Sequence, residues 1–407
     1  MTESPPNDVL EGKRYLAGEL RLSMAAFGHD SEFFLWDREK NEVVPSYHYY
    51  PTQEESHLSR PSLKKFKKRY EQRGLSPARV DWYGQPLPPT TIIKVPTAPL
   101  SGSSTRIYRD GLAVEVGVSP LRCRAYMWND TKFTLLKYEP PRMPENIVFT
   151  TRPYVKVKKE LMEDFPPDLR VLGCSPSRNA YIEDGMVEQE IQVNPMKTMY
   201  RTCGSHLHMS FAGRSDKNPI PSLVWARFIA LADILIGVPF AYVFGDELEA
   251  KRRKLYGRAG EFRFQPSYGG LEYRSLSSRL WDHPASYSFF LGIWKNVLGG
   301  GYFSNAVKAY DVTTQSAVQD AINTADPAKA EALLPEVQRL YNAVGVHQVF
   351  GLGNGNPFPL KAVLDLFKLK RSEGEIRDCR IWSDPFLQEG HFGFHEYMYS
   401  WKLKAFM

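Results

Sequence analysis

Cysteine is scarce in this chain. Cys123, Cys174, Cys203 and Cys379 are the only four in 407 residues, and no two are spaced as CxxC. Widely spaced and without an export signal beside them, they are expected to be reduced thiols. The opening Met1-Thr-Glu-Ser-Pro-Pro-Asn-Asp-Val lacks the basic start and apolar run of a signal peptide, so a cytoplasmic location is expected. Long apolar runs are missing too. The most apolar window, Ile220 to Phe244, contains Arg227, Asp233 and Pro239, and is read as a buried helix, with no membrane span expected. There is no glycine-rich lysine motif of the Walker type, which excludes a P-loop, and there is no internal repeat. Strong charge of one sign is also lacking: the formal net charge of +6 permits an anionic substrate without arguing for nucleic acid.

What is present begins with Tyr256-Gly-Arg-Ala-Gly-Glu-Phe-Arg-Phe-Gln-Pro-Ser-Tyr-Gly-Gly-Leu-Glu-Tyr-Arg-Ser-Leu-Ser-Ser278. At period two this predicts a hairpin around Pro-Ser-Tyr-Gly-Gly. Phe262 and Phe264 fall on one strand face, with Glu261, Arg263 and Gln265 opposite; Leu271 and Tyr273 face the core, and Glu272 and Arg274 project from the other side. Arg258, Arg263, Arg274 and a glutamate thus gather on one side, as they do in an active site or on an ordinary solvated strand. Upstream, Arg201-Thr-Cys-Gly-Ser-His-Leu-His-Met-Ser-Phe211 puts His206 and His208 on one face, a spacing that suits a divalent metal because two neutral imidazoles reach one ion.

Gly204-Ser-His-Leu-His208, Gly257-Arg-Ala-Gly-Glu-Phe-Arg263 and Gly270-Leu-Glu-Tyr-Arg274 resemble the phage-type carboxylate–amine ligases, or amidoligases, related to glutamine synthetase and glutamate–cysteine ligase. Gly28-His-Asp-Ser-Glu-Phe-Phe34 and Asp110-Gly-Leu-Ala-Val-Glu115 stand where that family carries further acidic strands, so the likeness runs in order from about residue 20 to about residue 280. The resemblance implies an α+β fold, a curved, mostly antiparallel sheet with a concave active-site face backed by helices. It implies an ATP-dependent ligase joining a small-molecule or peptide carboxylate to an amine, forming ADP, with Mg2+ or Mn2+, in a bacterial host cell if a phage encodes it. Asp30, Glu32, Glu115, His206 and Glu272 would hold metal; Arg258, Arg263 and Arg274 would hold phosphates and act in catalysis; His208 would touch nucleotide. Which of the two histidines meets the metal is left open. ATP turns the carboxylate hydroxyl, a poor leaving group, into a phosphate, and arginines with metal steady the charge of the transferred group.

The rest of the chain is read around that core. Residues 1–12 are expected to be a mobile tail and 13–407 a single ligase domain, with a basic helix and Pro-rich insertion at 56–106 and a helical extension at 285–407. Ser62 to Gly74 reads as a helix whose Lys64, Lys65, Lys67, Lys68, Arg69 and Arg73 either serve a polyanion or form a solvated face, the second being the reading taken. Glu39–Val44 is expected to close a hairpin, Val155–Asp164 to be a charged helix, and Arg178 or Asn179 either to reach substrate or to satisfy a turn. The long helix Ser222–Phe244 is expected to break near Pro239. Asp326-Pro327 caps another helix towards Gly345, with a break at Pro335 allowed for. His391 and His395 stand at i, i+4 near the end, as a metal pair or as simple packing. Two other functions fit some of these residues. A single-metal hydrolase around Zn2+ would use the histidines and acids but leave the three arginines idle. A non-enzymatic nucleic-acid-binding protein would leave the acids unexplained.

Overall fold

A computed structural model describes residues 11–14, 24–50, 106–117, 143–163, 177–182, 199–214, 217–265, 269–282, 284–299, 303–346 and 359–370, and the single positions 16, 127, 131, 135, 165, 188 and 189. The basic helix at 62–74, the hairpin tip at 266–268 and His391 and His395 lie outside the described residues. The strands are β1 (Met24–Asp37), β2 (Glu42–Val44), β3 (Arg106–Asp110), β4 (Ala113–Gly117), β5 (Ile147–Thr150), β6 (Tyr154–Lys156), β7 (Ser177–Asn179), β8 (Glu188–Gln189), β9 (Tyr200–Thr202), β10 (Ser205–Phe211), β11 (Glu261–Gln265) and β12 (Gly270–Tyr273). The helices used below are α1 (Lys159–Glu163), α2 (Ser222–Ala232), α3 (Val238–Phe244), α4 (Glu247–Leu255) and α5 (Pro327–Ala343). The class is α+β with open antiparallel sheet, and the chain divides into two compact units.

One unit comprises Met1–Gly28, Cys174–Val193 and Gly204–Arg371. Its sheet orders β10, β12, β11, β7 and β8, every recorded pairing antiparallel. Alternation does the sorting here: Phe262, Leu271 and Tyr273 are fully buried on the face the sequence assigned to the core. Against that face the helices bring aromatic rings. Trp294 stacks on Tyr273 with centroids 5.8 Å apart, and Phe228 meets Trp294 edge-on at 5.5 Å. Each fully buried ring of this kind contributes roughly 1.5–3 kcal/mol over its exposed state.

The run Ser222–Phe244 is long and apolar enough to cross a membrane by length and composition, yet 83% of its most apolar window is buried inside the protein. The expected break near Pro239 is absent: the run stays helical from end to end. The helix runs on through a π-helical turn, Asp233–Gly237, between α2 and α3, and Pro239 follows that turn at the start of α3. Pro335 does not break α5: it is exposed, so the carbonyl it frees is open to water. Asp326 caps α5 through Ala328 N and Lys329 N, as the sequence predicts, and Asp246 likewise caps α4 through Leu248 N and Glu249 N.

The other unit comprises His29–Gly173, Asn194–Cys203 and Ser372–Met407. The His29–Asp37 part of β1 is its spine. Asp30 to Phe33 pair with β4, and the following residues pair with β2 and β5. Phe34, Trp36, Val148, Val155, Val157 and Phe165 form its core. Val155 belongs to β6, which pairs with β9, and helix begins only at Lys159; the expected helix at 155–164 is therefore shortened to α1. Val155 and Val157, β-branched and buried, gain more from that core than from a helical turn.

Candidate functional site

In the unit built on β10, β11 and β12, register creates the site. His208 stands opposite Glu272, and Glu272 opposite Arg263, so imidazole, carboxylate and guanidinium form one row across three strands. Glu272 has no solvent exposure. It is surrounded by donors: His206 Nδ1 lies 3.2 Å from Oε1, Arg274 Nε 2.9 Å from Oε1, Arg263 Nε donates to Oε2 at 2.8 Å, and Gln265 Nε2 donates to Oε2 at 2.9 Å. Arg274 is buried as well, and its second prong donates to Ser177 Oγ of β7 at 2.8 Å. Burial alone pulls the Arg263 guanidinium down, but the facing Glu272 carboxylate outweighs it and holds the group above its usual value.

His206 is pinned at both ring nitrogens, with Tyr256 Oη 3.1 Å from Nε2. Gly204 makes that possible: a Cβ there would come within 2.3 Å of His206 Nε2. Arg258 joins none of these bonds. Its side chain is exposed and donates to the carbonyls of Arg253 at 3.1 Å and Lys254 at 3.2 Å, closing the C-terminal end of α4. Asn179 satisfies the turn around it, donating to Ala259 O at 3.0 Å and accepting from Tyr181 N at 2.9 Å, while Arg178 covers the Phe264 ring at 4.6 Å.

In the unit built on β1, the acids gather. Glu32 stands opposite Glu115, Glu115 opposite Tyr108, and Asp30 opposite Gly117. Carboxylate oxygens of Glu32, Asp110 and Glu115 lie within 4.8 Å of one another, and Tyr108 Oη donates to Glu115. Burial pushes the Glu115 carboxyl well up, reinforced by the negative charges of Asp30, Asp110 and Glu32, while the Tyr108 bond pulls the other way. Buried carboxylates crowded together in this way fit a hard divalent cation, whose charge would relieve their repulsion and favour their ionised forms.

The structure thus brings His206, Glu272, Arg263 and Arg274 together in one unit, and Asp30, Glu32 and Glu115 together in the other. Five participants, Gln265, Asp110, Tyr108, Tyr256 and Ser177, were missed by sequence reasoning. Gln265 had a signal, since it lies two residues from Arg263 on the same strand face; Asp110 had one in the Asp-Gly turn that precedes Glu115. Tyr256 opens the hairpin stretch ahead of its alternating strands, Tyr108 belongs to β3 and Ser177 to β7, and none of the three carried a signal. No protein-family profile matches the chain, and no curated protein matches it.

Proposed function

We propose that the chain is an ATP-dependent carboxylate–amine ligase of the amidoligase kind, with a glutamine synthetase-like catalytic sheet, acting in the cytoplasm. The observation that carries this reading is the fully buried Glu272 carboxylate, ion-paired with two guanidinium groups and with an imidazole nitrogen 3.2 Å away. A lone structural ion pair needs one arginine. Two, steered by a shared carboxylate, form a preorganised pair of forks for phosphate oxygens. Arg263 is the more available fork, its side chain 31% exposed, while Arg274 is locked between Glu272 and Ser177.

In this reading Asp30, Glu32, Asp110 and Glu115 supply donors for Mg2+ or Mn2+ in one unit, and His206 and Glu272 supply donors in the other. Oxygen donors dominate the set, which favours these ions over softer metals. A cation held by these residues would neutralise nucleotide phosphates. Arg263 and Arg274 hold the phosphoryl group as it passes to the substrate carboxylate, and the amine then displaces phosphate from the acyl phosphate to give the amide. Glu272 keeps both guanidinium planes fixed, so little reorganisation is needed when charge develops.

The test is to incubate the protein with ATP, Mg2+ and pooled carboxylates and amines, then resolve the nucleotides. ADP and phosphate formed only with both substrates are expected. AMP with pyrophosphate would overturn the reading, and metal-dependent ester or amide hydrolysis without ATP would replace it with a single-metal hydrolase.

A further inference from the structure

We propose that Tyr256 is a positioning residue for His206: its hydroxyl holds Nε2 and so presents Nδ1, beside Glu272, as the nitrogen that takes the divalent cation. This rests on the metal-dependent reading above and deepens it, choosing His206 over His208 as the metal-binding imidazole and naming the nitrogen.

The geometry is specific. His206 and Tyr256 are both nearly fully buried, at 4% and 3% exposure. Nδ1 is 3.2 Å from Glu272 Oε1, close to the edge of an octahedron drawn at about 2.1 Å around one ion. The opposite nitrogen, Nε2, meets Tyr256 Oη at 3.1 Å. A metal-binding imidazole is oriented by what its other nitrogen bonds, and that partner commonly sets tautomer and affinity.

A phenol suits the task because it both donates and accepts. While Glu272, an acceptor, faces Nδ1, the ring hydrogen belongs on Nδ1 and Tyr256 donates to Nε2. Once a cation takes the Nδ1 lone pair, the ring hydrogen belongs on Nε2 and Tyr256 accepts it. The hydrogen leaves Nδ1 and one is regained at Nε2 by exchange with solvent, so no net proton is released. The phenol itself cannot drift: the Arg274 guanidinium lies 4.8 Å and the Arg252 guanidinium 5.6 Å from its ring centre, and its backbone N–H closes α4 on Arg252 O at 2.8 Å. Its ring meets the imidazole edge-on, 5.6 Å between centroids.

The experiment uses the full chain labelled with 15N-histidine and two readouts, with Mg2+ or Mn2+ alone as probe. In the wild-type protein Mg2+ is expected to move the His206 ring hydrogen from Nδ1 to Nε2. In Tyr256→Phe the metal-free His206 is expected to keep its hydrogen on Nδ1, where Glu272 faces it, and Mn2+ affinity measured by calorimetry to fall about tenfold or more. A His206 pattern that Mg2+ leaves unchanged overturns the proposal, whether or not the variant folds. So does a Tyr256→Phe protein that keeps the wild-type Mn2+ affinity. A chain that forms ADP while its His206 pattern never moves keeps the ligase reading and loses this one. A chain that shows the tautomer switch but forms no ADP does the reverse.

Discussion

Asp233 accepts a hydrogen bond from Tyr273 Oη at 2.7 Å, tying the π-helical turn of the buried helix to the strand that carries Glu272. The same carboxylate accepts from Tyr181 Oη at 2.9 Å and from Gly260 N at 2.6 Å, just before β11. One buried acid therefore anchors both strands of the central hairpin. Gly260 adopts φ +80°, a conformation that leaves its N–H aimed at Asp233 and disfavours any side chain.

That anchor makes stability pH-dependent in a stated direction. Burial raises the Asp233 carboxyl from 3.8 to about 6, although Tyr273, Tyr181, Gly260 and Arg253 each pull it down. A raised folded value means the native state binds the proton more tightly than the unfolded chain. The contribution of this group is thus fully present below about pH 4 and is lost as pH rises through about 6. The expected loss is on the order of 2–3 kcal/mol. Denaturant unfolding of wild type and Asp233→Asn between pH 4 and 8 checks it: the difference between the two proteins should change across that window, with the variant showing the flatter profile.

Glu272 is a hub, and its removal should be felt unequally by its partners. Glu272→Gln leaves the buried Arg274 guanidinium without its counter-charge, a loss expected to cost about 3–5 kcal/mol. Arg263→Gln removes a partner that water already reaches, and is expected to cost about 1 kcal/mol or less. Urea unfolding of both variants tests the ranking. Equal losses would mean that Glu272 is held chiefly by Arg263.

The hairpin and its faces were legible in the sequence because strand alternation and a glycine-bearing turn are local signals. The cap Asp326 was legible for the same reason. The end of α2 was not. Proline marks where a helix lacks a donor, but the helix runs on, with a π-helical turn at Asp233–Gly237 just ahead of Pro239, where Asp233 bonds residues 27 and 40 positions away in the chain. Asp233 was visible as a charge in an apolar run; what it bonds was not. Likewise, the row His208, Glu272 and Arg263 depends on register, which no single strand encodes. The acids of β1 and β4 could be assigned to faces, whereas Tyr108 and Asp110 enter through the neighbouring strand β3.

The acid set predicts a metal effect on stability. The crowded Glu115 carboxyl favours its protonated form in the folded protein, so what it contributes is lost as pH rises through its raised value. A cation bound there offsets that repulsion. At pH 7.5, Mg2+ or Mn2+ at a hundred times its dissociation constant should stabilise the wild type by about 2.7 kcal/mol. Glu115→Gln should be at least as stable as wild type without metal and gain less from adding it. Thermal unfolding with and without Mn2+ decides; an equal gain in the two proteins removes Glu115 from the cation's donors.

Arg274 and Arg258 were grouped by sequence, and the structure separates them, so their lysine variants should diverge. Arg274 bridges Glu272 and Ser177 with different prongs of one planar group while covering the Tyr256 ring. A lysine keeps the charge but presents a single compact ammonium, which cannot span both acceptors or lie flat on the phenol. Arg274→Lys is therefore expected to lower stability by about 1–3 kcal/mol, through the bond lost to a buried partner. It should also cut ADP formation at least a hundredfold, because the remaining guanidinium, Arg263, loses the partner that shares Glu272 with it. Arg258 lies on the exposed end of α4 and donates to carbonyls that water also reaches. Arg258→Lys should leave the unfolding midpoint within error and ADP formation within about twofold, since a lysine near a helix C-terminus still meets its carbonyls and dipole. Urea unfolding and nucleotide analysis on both variants give the comparison. If Arg258→Lys instead abolishes turnover at unchanged stability, Arg258 leaves the helix end to reach substrate, and the division drawn between the two arginines fails.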